Sequence, residues 1–229
     1  MPIVVTFVSQ KGGVGKSTLA RSVAVMLARA KVNVLLADCD DQQSTAVKWN
    51  RVRADNQRAP AIDVVSASSA AEAMARAERV EVAVVDMPSR VNRATLDAAR
   101  QSHVIVQPTG PTRDDLYPSV LLFHGLVAAG IPKERLLFVL CRTLAKGEEE
   151  AAREYLHHAA YHVLRHALPE KLGYREALNH GRSAIETDDD LLNAEADAVM
   201  DGILRKVNEV VGKLQDLQTA SDKVPGKSQ

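Results

Sequence analysis

The sequence is short of cysteine, of aromatic residues and of net charge, and each shortage closes a class of explanation. Its 229 residues include two cysteines, Cys39 and Cys141. Both stand at the ends of apolar runs and they form no metal-spaced pair, so a cysteine-held cluster is excluded and a reducing, cytoplasmic setting is expected. Aromatics make up 3% of the chain against a hydrophobic fraction of 46%, which leaves an interior built from Ala, Val and Leu. Twenty-nine basic residues offset 29 acidic ones, so any affinity for nucleic acid must come from a local patch. No apolar run reaches the ~20 residues of a membrane span, and MPIVVTF has neither a basic n-region nor a cleavage site.

What is present is an alternation. Strand-length apolar runs (Ile3 to Val8, Val32 to Asp38, Ala61 to Ala67, Val80 to Asp86, Ser102 to Pro108, Arg135 to Cys141) alternate with stretches of helical period. Helices are expected from Lys16 to Ala30, around Thr45 to Ala54, from Lys146 to Ala160 and from Asp189 to about Leu217. A short helix after the third run carries Ser69 and Glu72 at capping-box spacing. Near-continuous Val, Ile and Leu runs mark strands covered on both faces, hence an α/β fold with a mostly parallel, twisted sheet and helices on each side. One domain is expected over residues 1–217, followed by a polar, disordered tail at 218–229 with Pro225 and Gly226.

Between the first run and its helix lies SQKGGVGKST. In that position Gly12, Gly13 and Gly15, with Val14 between them, let backbone N–H groups turn inward around phosphate oxygens. Lys16 then reaches the β- and γ-phosphates, the Ser17 hydroxyl ligates magnesium, and the helix that starts here adds its positive end, with Thr18 as the last nucleotide-binding residue of the loop. VEVAVVD has the strand-then-aspartate form that places Asp86 on the same ion through water. A second lysine, Lys11, opens the loop. By charge alone it serves its own nucleotide, solvates the loop, or neutralises a seam between two nucleotides brought face to face.

KGGVGKST is the deviant Walker A box, and here the chain resembles the ParA/MinD ATPases, most closely the short ParA proteins without an N-terminal DNA-binding extension. The P-loop strand begins at Ile3, which leaves no room for a helix-turn-helix. The resemblance implies that Lys11 crosses a two-fold axis to the partner's nucleotide, so that ATP joins a homodimer. It implies that Asp40 in LLADCDDQQ orients the attacking water and that Asp38 supports the magnesium shell, although Asp41 stands where the family has proline. Positioning a water in line, without a strong base, is all that phosphoryl transfer asks of such a residue. MPSR replaces the usual end of the segment after Asp86. Thr112, Asp115 and Leu116 match a step that opens a helix, taken as structural, and YREALNHGRSAIE matches a late segment of the family.

The resemblance further implies an ATP- and Mg2+-dependent ATPase, slow and stimulated by a centromere-binding or adaptor protein. It would bind nonspecific DNA, associate with the nucleoid, and position plasmid or chromosomal DNA. Candidate DNA contacts are Lys171, Arg175, Arg182, Arg205 and Lys206. The alternatives are a MinD-like or organelle-positioning ATPase, or a P-loop synthetase. For a MinD-like role the stripe Ile203, Leu204, Val207, Val210, Val211, Leu214 and Leu217 would meet lipid; packing on the sheet is the expectation, with no stable membrane association. His158, His162 and His166 have ligand spacing on a helix but no supporting carboxylate or cysteine.

Overall fold

The computed structural model describes residues 1–90 and 93–222. Strand β1 (Ile3–Phe7) leads through the glycine loop into α1 (Lys16–Arg29), then β2 (Val34–Asp38), α2 (Thr45–Asp55), β3 (Asp63–Ser66) and α3 (Ala70–Arg76). There follow β4 (Val82–Asp86), α4 (Arg93–Gln101), β5 (Val104–Thr109), α5 (Arg113–Ala128), a 3-10 turn (Lys133–Arg135) and β6 (Leu136–Thr143). The chain closes with α6 (Lys146–His158), β7 (Leu168–Pro169), α7 (Leu172–Asn179) and α8 (Asp190–Asp222).

The seven strands form one sheet in the order β3-β2-β4-β1-β5-β6-β7, and every pair is parallel. Side chains alternate across it with period two. Val5, Phe7, Leu36, Val84, Val106 and Val139 face a core shared with α1, α2, α7 and α8. Val4, Val8, Ala37, Val85, Ile105 and Phe138 face one shared with α3, α4, α5 and α6. This is why the strands read as unbroken apolar runs: β2, β4 and β5 are buried at every position. Beginning at the centre, the chain crosses one way to β2 and later the other way to β5. The crevice therefore opens at the carboxyl end of β1, where open parallel sheets take their ligands.

The apolar stripe of α8 belongs to the first core. Ile203, Val207 and Val210 are 0%, 4% and 5% exposed, and Leu204, Val211 and Leu214 pack beside them. Among the described residues no helix is long and apolar enough to cross a membrane. α8 continues past Leu217 to Asp222, and residues 223–229 of the expected tail lie outside the described ones. Helix α6 ends at His158 and Ala160 turns left-handed at φ 58°, so His162 and His166 are not on its face. The capping pair holds, one residue displaced: Ser69 Oγ accepts from the Glu72 N–H at 3.2 Å, while the Glu72 carboxylate accepts from the Ser68 N–H at 2.8 Å.

The late segment clamps α2. Arg53, 1% exposed, donates to both oxygens of Glu186 at 2.8 and 3.0 Å, and Arg29 approaches the same carboxylate at 3.3 Å. Trp49 Nε1–H donates to the Arg182 carbonyl at 2.8 Å. Burial alone would raise the Glu186 pKa; the Arg53 guanidinium and the Ser183 N–H outweigh it and hold the carboxyl below its ordinary value. Gly181, at φ 69°, sits so close that a Cβ would fall 2.4 Å from the Arg53 backbone nitrogen. Gly181→Ala should therefore lower unfolding free energy by about 2–4 kcal/mol in a urea titration, combining left-handed strain with a clash against backbone. Because the Glu186 pKa is depressed on folding, its stabilisation is present above the ordinary carboxylate pKa and fades as pH falls through the folded value. Glu186→Gln should flatten the acid side of the stability–pH curve.

Candidate nucleotide-binding site

The loop between β1 and α1 turns on glycine. Gly13 and Gly15 have φ of 76° and 102°, and a Cβ at Gly15 would stand 3.2 Å from Cys141 Sγ. α1 begins at Lys16 with no side chain capping its first turn, which leaves backbone N–H groups and the positive end of the dipole for an anion. Beside it lies a cavity of about 450 Å3, lined by Lys11, Gly12, Gly13, Gly15, Lys16, Ser17 and Thr18 among others. Val14 is buried, 4% exposed, and lines no part of it.

Two lysines flank this cradle in different ways. Lys16 lies on the floor, its side chain 8% exposed, with Nζ 3.1 Å from Asp86 Oδ1; the Asp86 side chain is 1% exposed. Lys11 stands at the rim, 41% exposed, with Nζ 3.0 Å from Asp115 Oδ1. Asp115, in the first turn of α5, also accepts from Thr112 Oγ1 at 2.8 Å. It comes so near Gly110 that a Cβ there would lie 2.3 Å from Asp115 Oδ2. Asp115 thus does more than open a helix: it holds the rim lysine.

The other carboxylates divide their work. Asp38, 1% exposed, accepts from the backbone N–H groups of Asp40, Ala46 and Val47 at 3.1, 2.7 and 3.2 Å. It anchors the N-terminus of α2, and burial pushes its carboxyl above the ordinary value against the pull of those N–H groups. Unlike Asp40, Asp38 does not line the cavity. Asp40 is half-buried, lines the cavity, and accepts from the Gln43 N–H at 3.1 Å. Arg90, just beyond Asp86 and its strand, donates to Gln42 and so ties the two loops on this side together.

At the far end the sequence reading missed a cluster. Arg142, left-handed at φ 59°, donates to the Gly13 carbonyl at 3.2 Å and to Glu170 at 2.8 Å. Arg175 meets the same Glu170 at 2.5 Å. With Leu168, Pro169 and Tyr174 they line the cavity. The available signal was position: Arg142 follows Cys141 at the carboxyl end of β6, on the ligand side of the sheet. Both cysteines are buried, and burial pushes each thiol to about 12.

The five basic residues proposed for DNA are not a set of free cations. Lys171 and Arg175 line the nucleotide cavity, Arg182 pairs with Asp188, and Arg205 is exposed on α8. Lys206 is buried, 8% exposed, with Nζ 3.3 Å from Glu209, so it offers no charge to an external phosphate.

A model of the CobQ/CobB/MinD/ParA nucleotide-binding domain matches residues 5–223. The chain belongs to that family. It is 32% identical over 158 residues to the maintenance of carboxysome distribution protein A of Gloeobacter kilaueensis, covering 68% of this chain and 71% of that one. In fold it is similar to a Borrelia burgdorferi B31 protein assigned to plasmid partition and bound to AMPPNP, with TM-score 0.71 and 16% identity over 90% of this chain and all of that one. It is likewise similar to MinD of Pyrococcus horikoshii complexed with Mg-ADP, with TM-score 0.68 and 19% identity over 95% and 98% of the two chains.

For a member of this ATPase-type family, the residues present fit a nucleotide. A Cβ at Gly15 would be strained by its φ and crowded by Cys141, and the uncapped helix start suits phosphate. Among the described residues no cluster of three or more His, Cys, Asp or Glu is arranged for a metal. Magnesium in such sites takes one or two protein oxygens and completes its shell with phosphates and water, so it requires no such cluster. Lys16→Ala should abolish binding of a fluorescent ADP analogue, because the phosphates lose their buried cation; unchanged affinity by titration would remove Lys16 from the site.

Proposed function

We propose that the chain is a ParA-type positioning ATPase in which bound ATP–Mg joins two copies, and hydrolysis, stimulated by an adaptor, separates them. The observation that carries this reading is the separation of the two lysines. Lys16 is committed to the floor of its own cradle, whereas Lys11 is a half-exposed cation at the rim, held by an aspartate of its own chain. A lysine tethered there has its charge answered by Asp115. Once released from Asp115 it can reach outward, and two triphosphates facing each other supply the charge that would draw it.

In this reading Lys16 holds the β- and γ-phosphates, Ser17 would hold magnesium directly and Asp86 through water, and the ion would offset developing charge. Asp40, on the cavity wall, holds the attacking water in line. Asp38 acts through α2: by fixing the first turn of that helix it fixes the loop bearing Asp40. The clamp of Arg53 on Glu186 holds α2 from behind. The cargo is DNA bound by a centromere protein, with the ATP dimer held on nonspecific DNA through basic surface, of which Lys171 and Arg205 remain exposed.

Positioning of a protein assembly is the second reading. It is supported by the 32% identity to a carboxysome distribution protein. Both share the ATP dimer and differ in adaptor.

Lys11→Gln should leave ADP affinity within about twofold while abolishing ATP-dependent dimers in sedimentation. Normal dimers would remove Lys11 from the seam. Asp40→Ala should bind ATP, form dimers that do not dissociate, and lose at least about tenfold in phosphate release. DNA binding by the ATP form should weaken steeply with salt; a flat salt response in a filter-binding assay would count against the basic surface.

A further inference from the structure

Arg21 lies in α1, four residues after Ser17 and hence on the same face of the helix. It lines the cavity, yet it is only 5% exposed. Its Nε and Nη2 are both buried and neither has a hydrogen-bond partner. Two buried nitrogens of a cation without a protein acceptor are costly, and their N–H groups are available to an acceptor in the site. Burial lowers the pKa to about 10, with Asp86 and then Asp38 opposing the shift, so the group stays charged at neutral pH. Its Cζ lies 5.6 Å from the centre of the Trp49 ring, and Arg53 lies 5.4 Å from the same ring.

The charges beneath the phosphate cradle are two carboxylates, Asp38 and Asp86, each 1% exposed, and two cations, Lys16 and Arg21. Here Lys16 occupies Asp86. A nucleotide draws Lys16 onto its phosphates, and Asp86 is then left in a place where an unpaired charge is strongly unfavourable. We propose that Arg21 is the standby cation of this site: when Lys16 turns to the phosphates, the free N–H groups of Arg21 take up Asp86, so that nucleotide can bind before magnesium does. Arg21 is on this account a positioning residue, which sets how strongly nucleotide affinity depends on magnesium. The inference rests on the phosphate-site reading given above.

The test is titration of mant-ADP, with magnesium and with EDTA, into wild type, Arg21→Met, Arg21→Gln and Arg21→Lys. Wild-type affinity should fall less than about tenfold on magnesium removal. In Arg21→Met and Arg21→Gln it should fall roughly ten- to hundredfold further, and Arg21→Lys should restore most of the difference. Trp49, the single tryptophan of the chain, supplies a second readout. Its emission should change when ADP binds without magnesium to wild type, as the guanidinium leaves the ring, and should not change in Arg21→Gln. Wild type that binds no mant-ADP even with magnesium would overturn the phosphate-site reading itself. Wild type that binds, beside Met and Gln variants with its own magnesium-to-EDTA ratio, would overturn the role of Arg21 alone. Should Arg21→Met not fold, by thermal melting, the Gln variant and the wild-type Trp49 response decide the question.

Discussion

A lysine and an aspartate buried against each other at the carboxyl end of a parallel sheet set the terms for everything around them. Asp86 ends β4, and Lys16 opens α1 after the loop that follows β1, the strand that pairs with β4 so that Phe7 lies opposite Asp86. The Asp86 side chain, 1% exposed, has almost no access to water, so whatever removes Lys16 from it must supply another partner. Phosphates can take the lysine; magnesium or a second cation can take the aspartate. The apolar strands, the glycine turn and the uncapped start of α1 bring these two charges together and leave an anion site open above them.

Around that pair, each loop at the sheet's edge is held by one anchored acid. Asp38 is fixed to three backbone N–H groups of the segment leading into α2. Glu186 is fixed to Arg53 at the other end of the same helix. Asp115 holds Lys11 from α5. The segment bearing Asp40 is held at its start by Asp38 and at Gln42 by Arg90, and it closes on a short turn in which Ser44 is left-handed at φ 47°.

Much of this was legible in the sequence, for reasons that can be named. Strands covered on both faces are mostly apolar, so β2, β4 and β5 announced themselves, and the glycine loop had to follow a strand and open a helix. Lys11, Lys16, Ser17 and Asp40 line one cavity. Helices α4 and α7 were not marked, because nine and eight residues carry too little period to stand out. Partners distant in sequence were invisible: nothing in the order of residues joins Lys11 to Asp115 or Arg142 to Glu170. Lys206 shows the converse error, since a basic residue on a long helix reads as surface until the fold buries it.

The two cysteines have a practical corollary. With both thiols buried and their ionisation pushed to about 12, neither presents a thiolate to a maleimide at neutral pH. The natural chain is therefore a ready background for site-specific dye attachment. A cysteine introduced at Leu144, whose side chain is 79% exposed beyond β6, could carry a fluorophore without prior removal of either native thiol.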